Sequence, residues 1–488
     1  MTRLPLLLLL PAGIAMADQP ATTPNNRQAT AHAPEAPTTT AAATPVPVTD
    51  APTTPPAAAA IEESNAGRVD QTAPAPSERP APAPAPVIDL ATIERLVDER
   101  LALRGDTAGW DNGFYIQNRE HTARLKIGGV TQFDGRFFVP RDSDPKVDQF
   151  GFRSIRPDLQ GTVFEHYDFR LFPDFAGGKL VVQDAYADVH YGDAVKVRVG
   201  KFKVPFGLER LQSESDTTFV ERGLPTQLAP NRDLGVQVFG TVGIVEYQLG
   251  IFNGVADGQS GDGDVSSGKE GAARVFVKPG AGLGVGGAVT YGDTDGTVAA
   301  SDLPIFKTQG QTTFFQYKAG TTLMDTPVAH GRHWRATAQA DYFAGPLGVL
   351  AEYVHAAEHV ALNNTNTTVA ADSWQVLGQW VLTGDDASYK SVTPRHPFEP
   401  SKGRYGAVDV TARVGELRFA SSDVFDAGLA DPTKSALRVW NAGAGLDWFP
   451  NRTFRFVLDY DRTWFRLGAK TGDRPTETSI VARAQTLF

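Results

Sequence analysis

Over residues 107–488 one short pattern recurs: an apolar or small residue, then a polar one, for about ten residues, then a polar break. In ARLKIGGVTQFDGR, Ala123, Leu125, Ile127 and Phe133 fall on one side, and Arg124, Lys126, Gln132, Asp134 and Arg136 on the other. In RTFRFVLDYDRTW, Phe454, Phe456, Leu458, Tyr460 and Trp464 oppose Arg455 and Asp459. Successive strand side chains point to opposite faces, so each segment predicts a strand with one apolar and one charged face. LGVQVFGTVGIVEYQLGIFNG predicts a hairpin turning near Gly243, and the acidic stretch 257–271 predicts a long external loop. The final SIVARAQTLF repeats the pattern. Ile480, Ala482, Ala484, Thr486 and Phe488 share one face; Ser479, Val481, Arg483, Gln485 and Leu487 share the other. One such strand suits a soluble sandwich equally well. A whole series of them is the signature of a membrane barrel, apolar outside and polar within.

The N-terminal segment fits export. MTRLPLLLLLPAGIAMA carries Arg3, an apolar run from Leu4 to Leu10, and Ala15-Met16-Ala17, the three-part layout of a secretory leader over 1–17. That run is too short to span a bilayer as a helix. No later stretch is continuously apolar over a spanning length, so residence in a membrane requires a closed barrel, whose backbone groups all pair with one another. Residues 18–86 are rich in Pro, Ala and Thr and predict a disordered or polyproline-like arm. In 87–105, Leu90, Ile93, Val97 and Leu101 recur at helical spacing and Gly105 follows, which predicts a short amphipathic helix. Alone it is marginal in water; it packs on copies of itself or on the barrel, or stays loosely ordered.

Composition changes the picture little. With 0 cysteines there are no disulfides or thiolate metal sites, and the net charge of −10 disfavours nucleic acid as a partner. The fold class is therefore all-β, a transmembrane antiparallel β-barrel over 107–488. At about ten residues per strand plus turns, its ~380 residues hold roughly sixteen strands, fourteen or eighteen also fitting. Trp334, Trp374, Trp380, Trp440, Trp448 and Trp464 sit near strand ends, as interfacial girdles do. Two motifs lack their context. Gly282, Gly284 and Gly287 form G-x-G-x-x-G, but a strand and turn follow where a dinucleotide site needs a helix. His355, Glu358 and His359 form H-x-x-E-H, but the flanks read as strand and loop where zinc binding needs a helix; a polar loop at a barrel rim is the better reading. No catalytic set, metal or cofactor is called for.

The central stretch, FRSIRPDLQGTVFEHYDFRLFPDFAGGKLVVQDAYADVHY and then VRVGKFKVPFGLERLQSESDTTFVERGLPTQLAPNRDLGVQVFG, resembles the phosphate- and pyrophosphate-selective porins O and P. LDWFPNRTFRFVLDY and the terminal RAQTLF look like that family too, so the likeness covers about 107–488. The resemblance implies a sixteen-stranded barrel in the outer membrane of a Gram-negative bacterium, assembled as a homotrimer among outer-membrane lipid, with loops folded inward and the N-terminal arm in the periplasm. It implies that Phe488 is what the outer-membrane assembly machinery reads. It also implies a ladder of lumen arginines, matched by Arg153, Arg156 and Arg170, and a loop-borne phosphate cluster, matched by Arg210, Ser213 and Arg222. Asp184 matches an aspartate that orders the basic groups. Lys196 and Arg198 alternate with Val195, Val197 and Val199, which by itself points them into the lumen.

Rings of Arg or Lys select anions, and the planar guanidinium fork suits phosphate. The expected function is thus passive passage of small anions, phosphate or polyphosphate first. Each arginine taken singly reads equally well as a solvated lumen residue. The sequence departs from the family twice: Arg153-Ser154 stands where a basic pair is usual, and Ser213-Glu214 where narrow-pore members have two serines. A carboxylate at 214 is expected to repel phosphate or to neutralise Arg210. A weakly selective general porin and a cell-surface binding barrel are the alternative readings.

Overall fold

The computed structural model describes residues 89–102, 107–139, 147–264 and 266–488. The expected leader and the Pro/Ala/Thr-rich arm lie outside the described residues. Within 87–105 a helix, α1, runs Leu90–Ala102. The Asp89 carboxylate accepts the Thr92 N–H at 2.5 Å and so caps it. Leu90, Ile93 and Val97 stay exposed along it.

Sixteen antiparallel strands close a barrel. In chain order they are β1 (Arg124–Phe138), β2 (Gln149–Val163), β3 (Tyr167–Asp174), β4 (Val181–His190), β5 (Lys196–Lys203), β6 (Arg232–Val242), β7 (Val245–Phe252) and β8 (Glu270–Gly280). Then follow β9 (Leu283–Asp295), β10 (Val328–Ala344), β11 (Leu347–Leu362), β12 (Thr365–Val381), β13 (Ala407–Phe419), β14 (Ala436–Phe449), β15 (Phe454–Leu467) and β16 (Glu477–Leu487). β16 pairs back onto β1, with Arg483 opposite Asp134, and no edge is left between them. Phe488 donates its N–H to the Gly129 carbonyl (3.0 Å) and accepts from the Gly129 N–H (2.6 Å). Beyond that point a small hairpin, Ala108–Trp110 with Phe114–Gln117, takes over the rest of the β1 edge, Phe114 opposite Ile127.

Alternation sets the wall. Ile127, Phe133, Phe454, Phe456, Leu458 and Tyr460 are exposed outward, while Gln132, Asp134, Arg136, Arg455, Asp459, Arg483 and Gln485 are buried inside. Trp334, Trp380, Trp440 and Trp464 are exposed on the outer face, and Trp374 meets Trp440 edge-on at 5.9 Å. The hairpin near Gly243 (φ 58°) joins β6 to β7. Asn363 and Asn364 both take positive φ in the two-residue turn from β11 to β12, a conformation asparagine tolerates well. Gly282, Gly284 and Gly287 lie in the β8–β9 turn and β9, with no helix after them.

The H-x-x-E-H stretch corrects one expectation. It lies within strand β11, not in a rim loop. The run of AEYVHAAEHV keeps strand alternation unbroken, so Glu358 faces in with Glu352 and Val354, and His355 and His359 take the opposite side. A second difference concerns the lumen. Val354, Val360, Val369, Leu417, Phe419 and Val439 are inward-facing yet apolar, because the 296–327 connection folds over them. Phe306, Phe314 and Phe315 of that connection pack there, Phe315 against Phe419 at 4.3 Å. The lumen is filled there, and the polar cavities are lined by residues of β1–β10 and the inner connections.

Candidate functional site: a basic lumen cavity

The connection from β5 to β6, residues 204–231, enters the barrel. Pro205 lacks the N–H that would continue β5. Gly207 then turns at φ +81°, where an added Cβ would meet Arg210 Cβ at 2.9 Å. Phe206, Leu208, Phe219, Leu224 and Leu228 are buried, so the loop has its own apolar footing.

The far wall holds this loop by its backbone. Glu352 accepts the Leu208 N–H (2.5 Å), and Asp459 accepts the Val220 N–H (2.6 Å). Arg413 donates to the Glu221 carbonyl (2.7 Å), Arg455 to those of Thr217 (2.7 Å) and Thr218 (2.9 Å), and Arg483 to that of Val220 (3.1 Å). Hydrogen bonds from a charged donor contribute about 1.5–3 kcal/mol each. These lumen arginines therefore position the loop. From the other end, Tyr389 of the 382–406 connection donates its hydroxyl to the Leu208 carbonyl (2.6 Å), and its backbone carbonyl accepts from the Gln212 side-chain amide (2.7 Å).

On the near wall the arginines face open space. A cavity of about 230 Å³ is lined by Arg156 (β2), Arg170 (β3), Asp184 and Tyr186 (β4), Arg198 and Lys203 (β5), Arg232 (β6), and Ser213, Glu214 and Ser215 of the loop. Five cations thus meet two carboxylates. Each guanidinium is braced by an acid. Arg170 makes a two-pronged contact with Asp158 (2.9 and 2.8 Å) and reaches Asp184 (3.3 Å). Arg198 forks onto Asp188 (2.7 and 2.7 Å), and Arg232 binds Asp184 (2.8 Å). Arg156 holds Asp174 (2.7 Å) and contacts Glu214. Arg198 also lies 3.8 Å over the Tyr186 ring and Arg170 4.3 Å over Phe172, stacking that fixes the fork planes. Lys203 donates to the Gln212 (2.5 Å) and Leu211 (3.4 Å) carbonyls and, among the described residues, has no ion pair. Ser213 and Ser215 hydroxyls sit 2.9 Å apart. A larger cavity of about 520 Å³, bounded by Tyr389, Phe276 and Arg274, shares Leu211 and Gln248 with this one, so the two adjoin.

The structure brings together Arg156, Arg170, Asp184, Arg198, Ser213 and Glu214 of the residues expected from sequence. It places four elsewhere. Arg153 occupies a bulge between Ser154 and Phe152 and pairs with Glu221 (3.3 Å). Lys196 pairs with Asp193 (2.9 Å) beside the turn that precedes β5. Arg210 is buried in the loop, donating to the Thr226 carbonyl. Arg222 holds the Glu209 (3.1 Å) and Gln212 (2.8 Å) carbonyls and approaches Glu214 at 3.5 Å. The expected Glu214–Arg210 pairing is corrected: the ion partners of Glu214 are Arg156 and Arg222, because the loop turns at Gly207 and carries Arg210 away. Burial pushes the Glu214 carboxyl up, and Arg156, Arg153 and Arg222 outweigh this, holding it well below the usual carboxylate range.

Lys203 and Arg232 were not singled out from sequence, although both lie in the family-like segments GKFKVPFGLE and RDLGVQ. They are register partners at the loop end of β5 and β6. Strand parity assigns both to the outer face; the chain bends inward there, and parity no longer holds.

A profile of the phosphate-selective porin O and P family matches residues 125–488. Porin O of Pseudomonas aeruginosa is 23% identical over 376 residues, which is 71% of this chain and 84% of that protein. Among solved structures, the outer membrane channel DcaP of Acinetobacter baumannii is similar at 12% identity over 75% of this chain and 97% of that one, TM-score 0.49. An anion-selective porin from Comamonas acidovorans is similar at 10% identity over 75% and 100%, TM-score 0.48.

Proposed function

The chain belongs to the phosphate-selective porin O and P family, and from that premise we propose that its outer-membrane barrel sorts small anions at the cavity between β2–β6 and the inner loop, with phosphate preferred. One observation carries this: Arg156, Arg170, Arg198, Lys203 and Arg232 converge on a single cavity that two serine hydroxyls complete. An oxyanion entering it exchanges water for N–H and O–H donors already in place. Conduction also requires that the ion leave. The paired acids serve both needs, since they hold the guanidiniums rigid and cancel part of their charge. Phosphate gains more than chloride, because it offers several oxygens to planar forks.

The pore works as a homotrimer. Strands β3, β5 and β7 have only 8 residues each, against 17 in β10 and β12. At 3.3 Å per residue and a tilt near 40°, eight residues rise about 20 Å, less than the roughly 25 Å apolar band of such barrels. That low wall suits contact with a second copy better than contact with lipid.

A weakly selective general porin is the second reading, favoured by the acid partner at every guanidinium of the cavity and by Glu214. The zero-current potential of the reconstituted full chain across a potassium chloride gradient separates the two. An anion-selective potential supports the proposal; a potential near zero supports the general porin.

A further inference from the structure

On the outer face, Arg418 (β13), Arg438 (β14) and Arg466 (β15) are direct cross-strand neighbours: Arg418 is opposite Arg438, and Arg438 is opposite Arg466. Each lies within two residues of the loop end of its strand. Positions facing each other across antiparallel strands are about 5 Å apart, and like charges there oppose folding. The local acids compensate in part. Arg438 contacts Glu416, and Arg418 stands a loose 3.7 Å from Asp372, whose other oxygen is held by Tyr353 (2.5 Å) and His355 (2.8 Å). Among the described residues Arg466 has no carboxylate partner, and neither has Arg462, four residues along the same face beyond Trp464. Side chains of Arg418 and Arg438 are 53% and 35% exposed.

The row sits directly beyond an aromatic belt. Trp374, Trp440 and Trp464 follow in the adjoining register row, and Trp374 donates to Glu416 (3.0 Å). Tryptophan at such positions marks where hydrocarbon gives way to headgroups. With 13 to 14 residues each, β13–β15 rise about 33–35 Å at the same tilt, more than the roughly 25 Å apolar band, so lipid alone can cover this wall. We propose that this arginine row binds the phosphate of an anionic lipid headgroup in the outer leaflet, a phosphorylated glycolipid bridging the three guanidiniums and relieving their repulsion. The inference depends on the outer-membrane placement of the barrel and not on how its lumen selects ions, because none of these side chains faces the lumen.

The test uses the full chain and bisphosphorylated lipid A as probe, titrated by native mass spectrometry, with dephosphorylated lipid A and inorganic phosphate as comparisons. The R418Q/R466Q variant is expected to bind bisphosphorylated lipid A roughly thirtyfold more weakly than wild type, at about a tenfold loss per 1.4 kcal/mol. It is expected to match wild type with the dephosphorylated lipid and to keep the wild-type zero-current potential. Arg466→Gln alone breaks no ion pair; it is expected to lose roughly fivefold, and it decides the matter if the double variant does not fold. Equal binding by wild type and variants overturns the proposal. So does displacement of lipid A by inorganic phosphate, which assigns the row to a free ion, and so does loss of the trimer in either variant, which makes it a contact between copies.

Discussion

Replacing Glu214 with glutamine isolates the negative charge that the loop sets at the cavity. A cavity of about 230 Å³ has an equivalent radius of about 3.8 Å, so an ion at its centre is roughly 6 Å from a lining carboxylate. The Coulomb repulsion of a monovalent anion at that distance is about 0.7 kcal/mol at a dielectric of 80 and about 2.8 kcal/mol at 20. Removing it raises the anion's binding constant by roughly threefold to a hundredfold, and more for a divalent ion. Arg156 keeps its bond to Asp174 (2.7 Å), so its guanidinium stays in place. The loss of the contacts to Arg156 and Arg222 costs loop stability, about 3–5 kcal/mol at most for a buried pair, and a melting curve monitors it. Planar-bilayer recording then measures reversal potential and the block of chloride current by phosphate. Glu214→Gln is expected to shift reversal toward anions and to strengthen the block. A folded variant with both quantities unchanged refutes the electrostatic role given to Glu214.

Other residues carry separate expectations. Lys203→Gln and Arg232→Gln each lower anion preference by roughly threefold to tenfold, read from reversal potential, whereas Arg210→Ala changes it little and lowers the melting temperature, because Arg210 serves the loop's own Thr226 carbonyl. The pH dependence follows from the depressed carboxyl of Glu214. Its stabilising share is complete above the unfolded value of about 4.3 and is lost only as pH falls through the lower folded value, so wild type and Glu214→Gln keep their difference in reversal potential from pH 7 down to about 4.5. A difference that vanishes between pH 6 and about 4.5 contradicts the shift. Deleting Phe488 removes its two backbone bonds to Gly129, and trimer assembled in the outer membrane is expected to fall while export continues; wild-type amounts of trimer would exclude a closing role.

The wall was legible in the sequence because its signal is local. Side-chain parity at Gln132, Asp134, Arg455 and Arg483 needs only the two-residue period of a strand, and burial follows. The site was half legible for the same reason. Arg156, Arg170 and Arg198 lie mid-strand, where parity holds. Lys203 and Arg232 lie at strand ends, where the chain bends and parity fails. The loop residues were least legible, since Arg210, Arg222 and Glu214 are placed by carbonyls and by wall side chains far along the chain. Gly207 fixes which way Arg210 leaves. Glu214 lies only four positions from Arg210 in sequence, but the short helical turn Leu208–Leu211 ends before Glu214, and the two side chains part. The apolar half of the lumen was illegible too, because the inward valines of β11 and β12 obtain their cover from loop phenylalanines distant in sequence. In β11 the motif around His355 and His359 reads as a rim loop because the polar ALNNTNTT follows it, while the barrel places both histidines on the outer side of a long strand.

The most direct test of selection at this cavity is a titration of single-channel chloride current with phosphate. The arrangement of Arg156, Arg170, Arg198, Lys203 and Arg232 around one space predicts a block that saturates as a single site fills, and that weakens in the Lys203→Gln and Arg232→Gln channels. A chloride current that falls only in proportion to the chloride replaced, with no saturating block in wild type, contradicts it.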